Sequence, residues 1–222
     1  MNTLGLIPAR AGSKGLYKKN IKDFCGKPLI HWTIKAAIAS SSINRVIVST
    51  ESEEIKKISL NSGAEVPFLR PSHLAKDDSL SIDVTLDLIN NLKDIDEVIL
   101  LQPTSPLRTT ADIDASYKFR KEKKGDSLVS YCKSNKHPSS YFKINKEGFL
   151  EPYISFLPNK RRQEYEETFL VNGAIYIAST KFLKKNRSFI SSETIGFKMP
   201  LERSIDIDDL SDWIIAESLF KS

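Results

Sequence analysis

The chain has 222 residues, 40% hydrophobic and 27% charged, which suits a soluble protein with a full core: one α/β domain with an appendage, or at most two small domains. A net charge of +5 suits an anionic partner without choosing between nucleotides, nucleic acid and anionic lipid. Cys25 and Cys132 lie far apart and suggest no disulfide framework, residues 1–3 open no signal peptide, and no apolar run nears the ~18 residues of a membrane helix, so a cytoplasmic protein is expected.

Strand and helix signals alternate along the chain. A buried strand is expected over 3–7, then a helix over 28–39 with Leu29, Ile30, Ile34 and Ile38 on its apolar stripe. A strand follows at 45–49 and a helix at 52–62, where Thr50 and Glu53 have capping-box spacing and Gly63 is the stop. Next come a short strand at 66–69, a helix at 81–92 carrying Ile82, Leu86 and Ile89, and a strand at 98–101. A helix at 110–121 and a strand at 127–132 complete the alternation; the basic run Lys118 to Lys124 reads as a solvated face. The order predicts a mostly parallel sheet with helices on both faces. The rhythm then breaks. Segments 141–144 and 150–153 flank Asn145-Lys146-Glu147-Gly148, a hairpin turn, and 158–168 is polar and charged. Strand signal returns at 174–178 and 195–199, and a helix at 209–220 offers Leu210, Trp213, Ile214 and Leu219 to the core. The whole of 1–222 reads as one domain, with 133–168 as an inserted arm.

Three segments could carry chemistry. The first is the loop after the first strand, with small residues, Gly12, Gly15 and four cations, Arg10, Lys14, Lys18 and Lys19. Small residues let backbone N–H groups approach an anion, and such loops lie where open α/β sheets bind ligands. It reads as a polyphosphate cradle, with a basic surface loop as the alternative; neither the Walker A nor the dinucleotide fingerprint is present. The second, Leu100-Leu101-Gln102-Pro103-Thr104-Ser105-Pro106-Leu107-Arg108, is stiffened by prolines and offers Gln102 to a base edge; it is equally a turn into a helix capped by Thr109 or Thr110. In the third, alternation puts Asp206 and Asp208 on one side of an extended segment, a pair suited to Mg²⁺. The polar loop 70–81 could cap a helix or bind a ribose or base, and Asn172-Gly173 reads as a turn opening a strand. His31, His73 and His137 have no zinc-like spacing.

Five motifs in order resemble the acylneuraminate cytidylyltransferase family, the CMP-sialic acid synthetases. They are Ile7-Pro8-Ala9-Arg10-Ala11-Gly12-Ser13-Lys14-Gly15 with Lys19-Asn20, then Val48-Ser49-Thr50, Leu101 to Arg108, Asn172-Gly173-Ala174-Ile175-Tyr176, and Ser204-Ile205-Asp206-Ile207-Asp208. The resemblance implies a Rossmann-like α/β fold of the nucleotide-diphospho-sugar transferase type and a homodimer joined by 133–168. It implies transfer of CMP from CTP to a nine-carbon 2-keto-3-deoxy sugar acid (a nonulosonic acid), with Mg²⁺ (or Mn²⁺) and release of pyrophosphate. No nucleic-acid or membrane partner is implied. By resemblance, Arg10 and Lys19 hold the triphosphate, Asn20, Arg70, Ser79, Ser81 and Gln102 bind the nucleotide, and Asp206 and Asp208 hold the metal. Arg162 takes an active-site role, and Tyr176 and Phe189 line the sugar pocket. Where sialic-acid members often carry a lysine after His-Pro and an arginine before Asn-Gly-Ala, this chain has Ser139 and Leu170 nearby. The loss of polar groups favours a legionaminic-type acid over N-acetylneuraminate. Rival readings are a cytidylyltransferase for the eight-carbon acid KDO, a metal-dependent glycosyltransferase using Asp206-Ile207-Asp208, and a non-catalytic nucleotide-binding module.

Overall fold

A computed structural model describes residues 1–12, 15–154 and 166–221. The strands are β1 (Thr3–Pro8), β2 (Asp23–Phe24), β3 (Lys27–Pro28), β4 (Arg45–Ser49), β5 (Glu97–Leu100), β6 (Ser127–Lys133), β7 (Phe142–Ile144), β8 (Leu150–Pro152), β9 (Phe169–Ser179) and β10 (Ile195–Lys198). The helices are α1 (Leu29–Ile38), α2 (Glu53–Asn61), α3 (Ser81–Asn91), α4 (Thr110–Glu122), α5 (Thr180–Asn186) and α6 (Leu210–Phe220). The main sheet has six strands in the order β10-β6-β9-β5-β1-β4. All pairings are parallel except those of β9, which runs against β5 and β6. This is the expected Rossmann-like architecture.

Alternation along the strands builds two cores. Ile7, Val48, Ile99 and Ile177 face α1, α2 and α4, while Leu4, Leu6, Ile47, Val98 and Leu100 face α3 and α5. Each fully buried Leu or Ile contributes about 1.5–3 kcal/mol. A third cluster docks α6 through Trp213 and Ala216 against Phe24, Leu29 and Ile207.

Several expectations are corrected. Segment 66–69 makes no strand: beside β4 there is a single bridge, Ile47 to Glu65, and Pro67 has no N–H to extend it. The cap of α2 is Ser52, which accepts from Ile55 N at 3.3 Å, while Thr50 Oγ1 accepts from Ser52 N. Ile38, Leu210, Ile214 and Leu219 are exposed rather than docked. The basic run on α4 is not wholly solvated, since Arg120 is buried against Glu97 and Lys121 also reaches Glu97. Helix α5 lay unseen behind a cap of its own, Ser179, which accepts from Phe182 N. Asn172-Gly173 does not open a strand: it lies inside β9, whose exposed start at Phe169 carries weak alternation. The 141–153 hairpin forms, and among the described residues β7 and β8 pair only with each other.

Candidate active site

The loop after β1 leaves the sheet at the carboxyl ends of its strands and runs over the 206–208 segment. Contact there is so close that a Cβ on Gly15 would lie 2.1 Å from the Asp208 carbonyl oxygen. Gly15 is therefore needed for packing this loop onto the acidic segment, rather than for approach to an anion as its sequence neighbours suggest. A cavity of about 290 Å³ opens beside it. Arg10, Lys19 and Asn20 enter from the first loop, and Arg70, Ser79 and Ser81 from the segment leading into α3. Gln102 enters from the end of β5, and Asp206 and Asp208 complete the wall. Residues scattered over nearly 200 positions thus meet in one place. A second cavity of similar size adjoins it, sharing Ser81 and Gln102, and is lined by Tyr176 and Phe189, whose rings meet edge-on at 5.7 Å. Arg162 lies outside the described residues, as do Ser13 and Lys14.

The cations are held ready by carboxylates. Arg10 Nη1 lies 2.5 Å from Asp77 Oδ1, and Arg70 Nη2 2.8 Å from Glu51 Oε2. Lys19 Nζ donates to the Ile207 carbonyl at 2.6 Å and lies 3.2 Å from Asp208. Glu51 also accepts from Ala11 N at 2.7 Å, occupying a loop amide as a phosphate oxygen could. Asn20 uses its amide N–H on the Arg10 carbonyl at 2.9 Å, so it braces the loop as well as lining the cavity. Ser79 donates to the His73 carbonyl, and neither Ser79 nor Ser81 caps α3, whose N-cap Leu80 makes no side-chain bond.

Asp206 is half-buried, and its Oδ1 is shut from solvent with no hydrogen-bond partner. Burial raises its carboxyl above the ordinary value; the Thr104 side chain opposes this and the Asp208 charge adds to it. Ile207 points the other way, into the α6 cluster. A buried, unpaired carboxylate oxygen beside a second carboxylate fits a divalent cation, the group that would relieve both burial and repulsion. Among the described residues no cluster of three or more His, Cys, Asp or Glu could hold a metal, so this pair would need substrate oxygens to complete a shell.

The Asn172-Gly173 bulge in β9 backs this corner. Val129 pairs with Tyr176 but Tyr131 with Val171, so β9 carries extra residues opposite Ser130. Ser130 Oγ stitches the bulge, donating to Asn172 Oδ1 at 2.6 Å and accepting from Ile175 N at 2.9 Å. Asn172 Nδ2 donates to Ser204 Oγ at 2.8 Å, tying the bulge to the acidic segment. Arg108, which is buried, donates to the Gln102 and Ala174 carbonyls and to Thr33 Oγ1. Burial lowers its guanidinium to about 9, the Asp112 charge opposing, so it is a cation at neutral pH. Thr109 caps α4 in a full capping box with Asp112.

Sequence reasoning missed Lys76 and Thr104, which line the main cavity, and the counter-ions Glu51 and Asp77. Lys76 was visible inside the polar 70–81 loop. Nothing local in the sequence links Glu51 to Arg70.

An open α/β sheet with cations, a side-chain amide and paired carboxylates at its strand ends is the arrangement in which α/β proteins take up charged ligands such as nucleotides. Residues 4–150 match the cytidylyltransferase family model. The chain is 38% identical to the CMP-N,N'-diacetyllegionaminic acid synthase of Legionella pneumophila, over 100% of this chain and 97% of that one. It is 35% identical to an N-acylneuraminate cytidylyltransferase of Streptococcus agalactiae, over 96% of this chain and 52% of that one. It spans about half the length of the N-acylneuraminate relatives it matches. A CMP:2-keto-3-deoxy-manno-octonic acid synthetase superposes with a TM-score of 0.76 at 16% identity, covering 100% of this chain and 99% of that one, a likeness of fold. The chain belongs to the cytidylyltransferase family, as its five motifs suggested.

Proposed function

We propose that the chain transfers CMP from CTP to the anomeric hydroxyl of a nine-carbon 2-keto-3-deoxy sugar acid, releasing pyrophosphate. The observation that carries this reading is the convergence of Arg10, Lys19, Arg70, Gln102, Asp206 and Asp208 on one cavity in a family member. Attack of a hydroxyl oxygen on the α-phosphorus, with cleavage of the bond to the β-phosphate oxygen, needs charge neutralisation and alignment more than a protein nucleophile. Arg10, Lys19 and Arg70 bind the triphosphate by exchanging their carboxylate partners for phosphate oxygens. Gln102 reads the base edge, and Asn20, Ser79 and Ser81 orient the nucleoside. Asp206 and Asp208 would hold Mg²⁺ (or Mn²⁺), which would neutralise charge on the phosphates and favour ionisation of the attacking hydroxyl.

In this reading the sugar occupies the adjoining cavity, against Tyr176 and Phe189. Its other lining mixes apolar Leu80, Ile82, Leu100 and Ile190 with Ser81, Gln102, Arg187 and Ser188, and the apolar share supports an acylamino, legionaminic-type acid; the Legionella relative carries that sugar in its name. Arg162 is assigned to the sugar carboxylate. The reading includes a homodimer through 133–168, where Phe142, Ile144, Phe149, Leu150 and Tyr153 expose apolar surface; sedimentation checks it. It also includes a cytosolic location, whose reducing conditions suit the free thiols Cys25 and Cys132. No helix among the described residues is long and apolar enough to cross a membrane.

Incubation with CTP, Mg²⁺ and a panel of nonulosonic acids is expected to release pyrophosphate, most with a diacylamino acid. CTP binding without turnover across the panel would favour a binding module, and turnover with KDO alone would reassign the sugar.

A further inference from the structure

We propose that Gly173 is a positioning residue for the transfer: the space left by its missing side chain is bordered by both the Gln102 amide and the Asp206 carboxylate. The proposal rests on the reading that the cavity binds CTP. A Cβ on Gly173 would lie 2.8 Å from Gln102 Oε1 and 3.2 Å from Asp206 Oδ2. Both atoms are the ends of side chains, and no backbone atom is among the near contacts. A methyl group at this point therefore displaces the two polar groups assigned to the base and the metal, in addition to the backbone strain that a side chain meets at a positive φ.

The surrounding backbone offers no alternative route for that displacement. Asn172 is tied to Ser204, two residues before Asp206, through a buried hydrogen bond of 2.8 Å. Ile207 N donates to the Thr104 carbonyl at 2.8 Å, joining the acidic segment to the loop that carries Gln102. Arg108 joins the Gln102 carbonyl, at 3.2 Å, to the Ala174 carbonyl, at 2.8 Å, on the far side of the glycine. The three segments that meet at Gly173 are thus bonded to one another, and the compliant elements are the Gln102 and Asp206 side chains. Gly173 also adopts φ +74°, which β9 requires at its bulge. The backbone requirement and the side-chain requirement are separable, and a merely structural glycine would carry only the first.

The test is a double-mutant cycle on CTP and UTP binding by titration calorimetry with Mg²⁺, alongside melting temperature, for wild type, Gly173→Ala, Gln102→Ala and the double variant. Gly173→Ala is expected to weaken CTP binding at least about tenfold and to narrow the preference for CTP over UTP. In the Gln102→Ala background the same change is expected to cost less than about threefold, because one of its two steric targets is gone. Gly173→Asn, a residue type that tolerates positive φ, is expected to behave like Gly173→Ala. The proposal is overturned if the two substitutions multiply, if Gly173→Ala binds CTP as wild type does, or if both Gly173 variants fail to fold. Absence of CTP binding by the wild type would instead remove the cytidylyltransferase reading, and this proposal with it.

Discussion

Two carboxylates lie near opposite ends of β5, and they have been treated in opposite ways. Glu97, at its start, is buried among partners: Arg120, Lys121 at 2.7 Å and the Tyr117 hydroxyl at 2.9 Å. Burial alone would raise its carboxyl, yet the hydrogen bonds of Lys121 and Arg120 outweigh it and hold the group below the ordinary value. Asp206, beyond the other end, is also taken from water, but its Oδ1 has no partner and the group is raised. A satisfied buried charge belongs to the fold. An unsatisfied one, placed beside a second carboxylate in a cavity, is what the proposed metal role of Asp206 rests on.

The contrast can be broken from either end. The largest effect is expected at Asp206. Asp206→Asn should lower pyrophosphate release roughly 10²–10³-fold, the scale of a lost electrostatic partner in a transition state. Its melting temperature should match or exceed that of the wild type, since an unpaired buried charge is removed. A drop in melting temperature with unchanged turnover would make Asp206 a structural group like Glu97. The reverse pattern is expected of Glu97→Ala. It leaves Arg120 buried without its counter-ion, at a cost of about 3–5 kcal/mol in denaturant unfolding, with specific activity of the folded fraction preserved. A loss below about 1 kcal/mol would show that the cluster is neutralised by other means.

The pH dependence sharpens the same point. Because the Glu97 carboxyl is depressed in the folded state, its stabilisation is complete above the ordinary glutamate value of 4.5 and is lost as pH falls through the lower folded value. The wild type should therefore lose more stability than Glu97→Gln on acidification below about pH 4.5, measured as melting temperature against pH. Parallel curves would remove Glu97 as a contributor. The smallest effect is expected at the cap of α4. Thr109→Ala removes a bond to Asp112 N and should cost about 1 kcal/mol, with CTP binding unchanged, because Arg108 rather than Thr109 anchors the Gln102 loop.

Much of this molecule is legible along the chain. Buried strands read as apolar runs because both faces of a mostly parallel sheet are covered, and helices such as α1 and α4 read from their stripes and caps. Tertiary context overrode local signals in identifiable places. Pro67 stopped a strand, α6 buried the expected Trp213 together with Ala216 but left Leu210, Ile214 and Leu219 exposed, and a bulge moved Asn172-Gly173 from a strand's edge to its interior.

The candidate site divides along the same line. Residue chemistry in local motifs was enough to single out Arg10, Lys19, Gln102, Asp206 and Asp208, since each type suits phosphate, base or metal wherever it stands, while Arg70 came only from the family resemblance. Only the folded chain decided that these groups share a cavity, that Glu51 and Asp77 pair with its cations, and that Gln102 and Asp206 both border the space beside Gly173. Those are contacts between segments distant in sequence. They depend on strand order, register and a single bulge, and no local pattern of residues encodes a distance across a sheet.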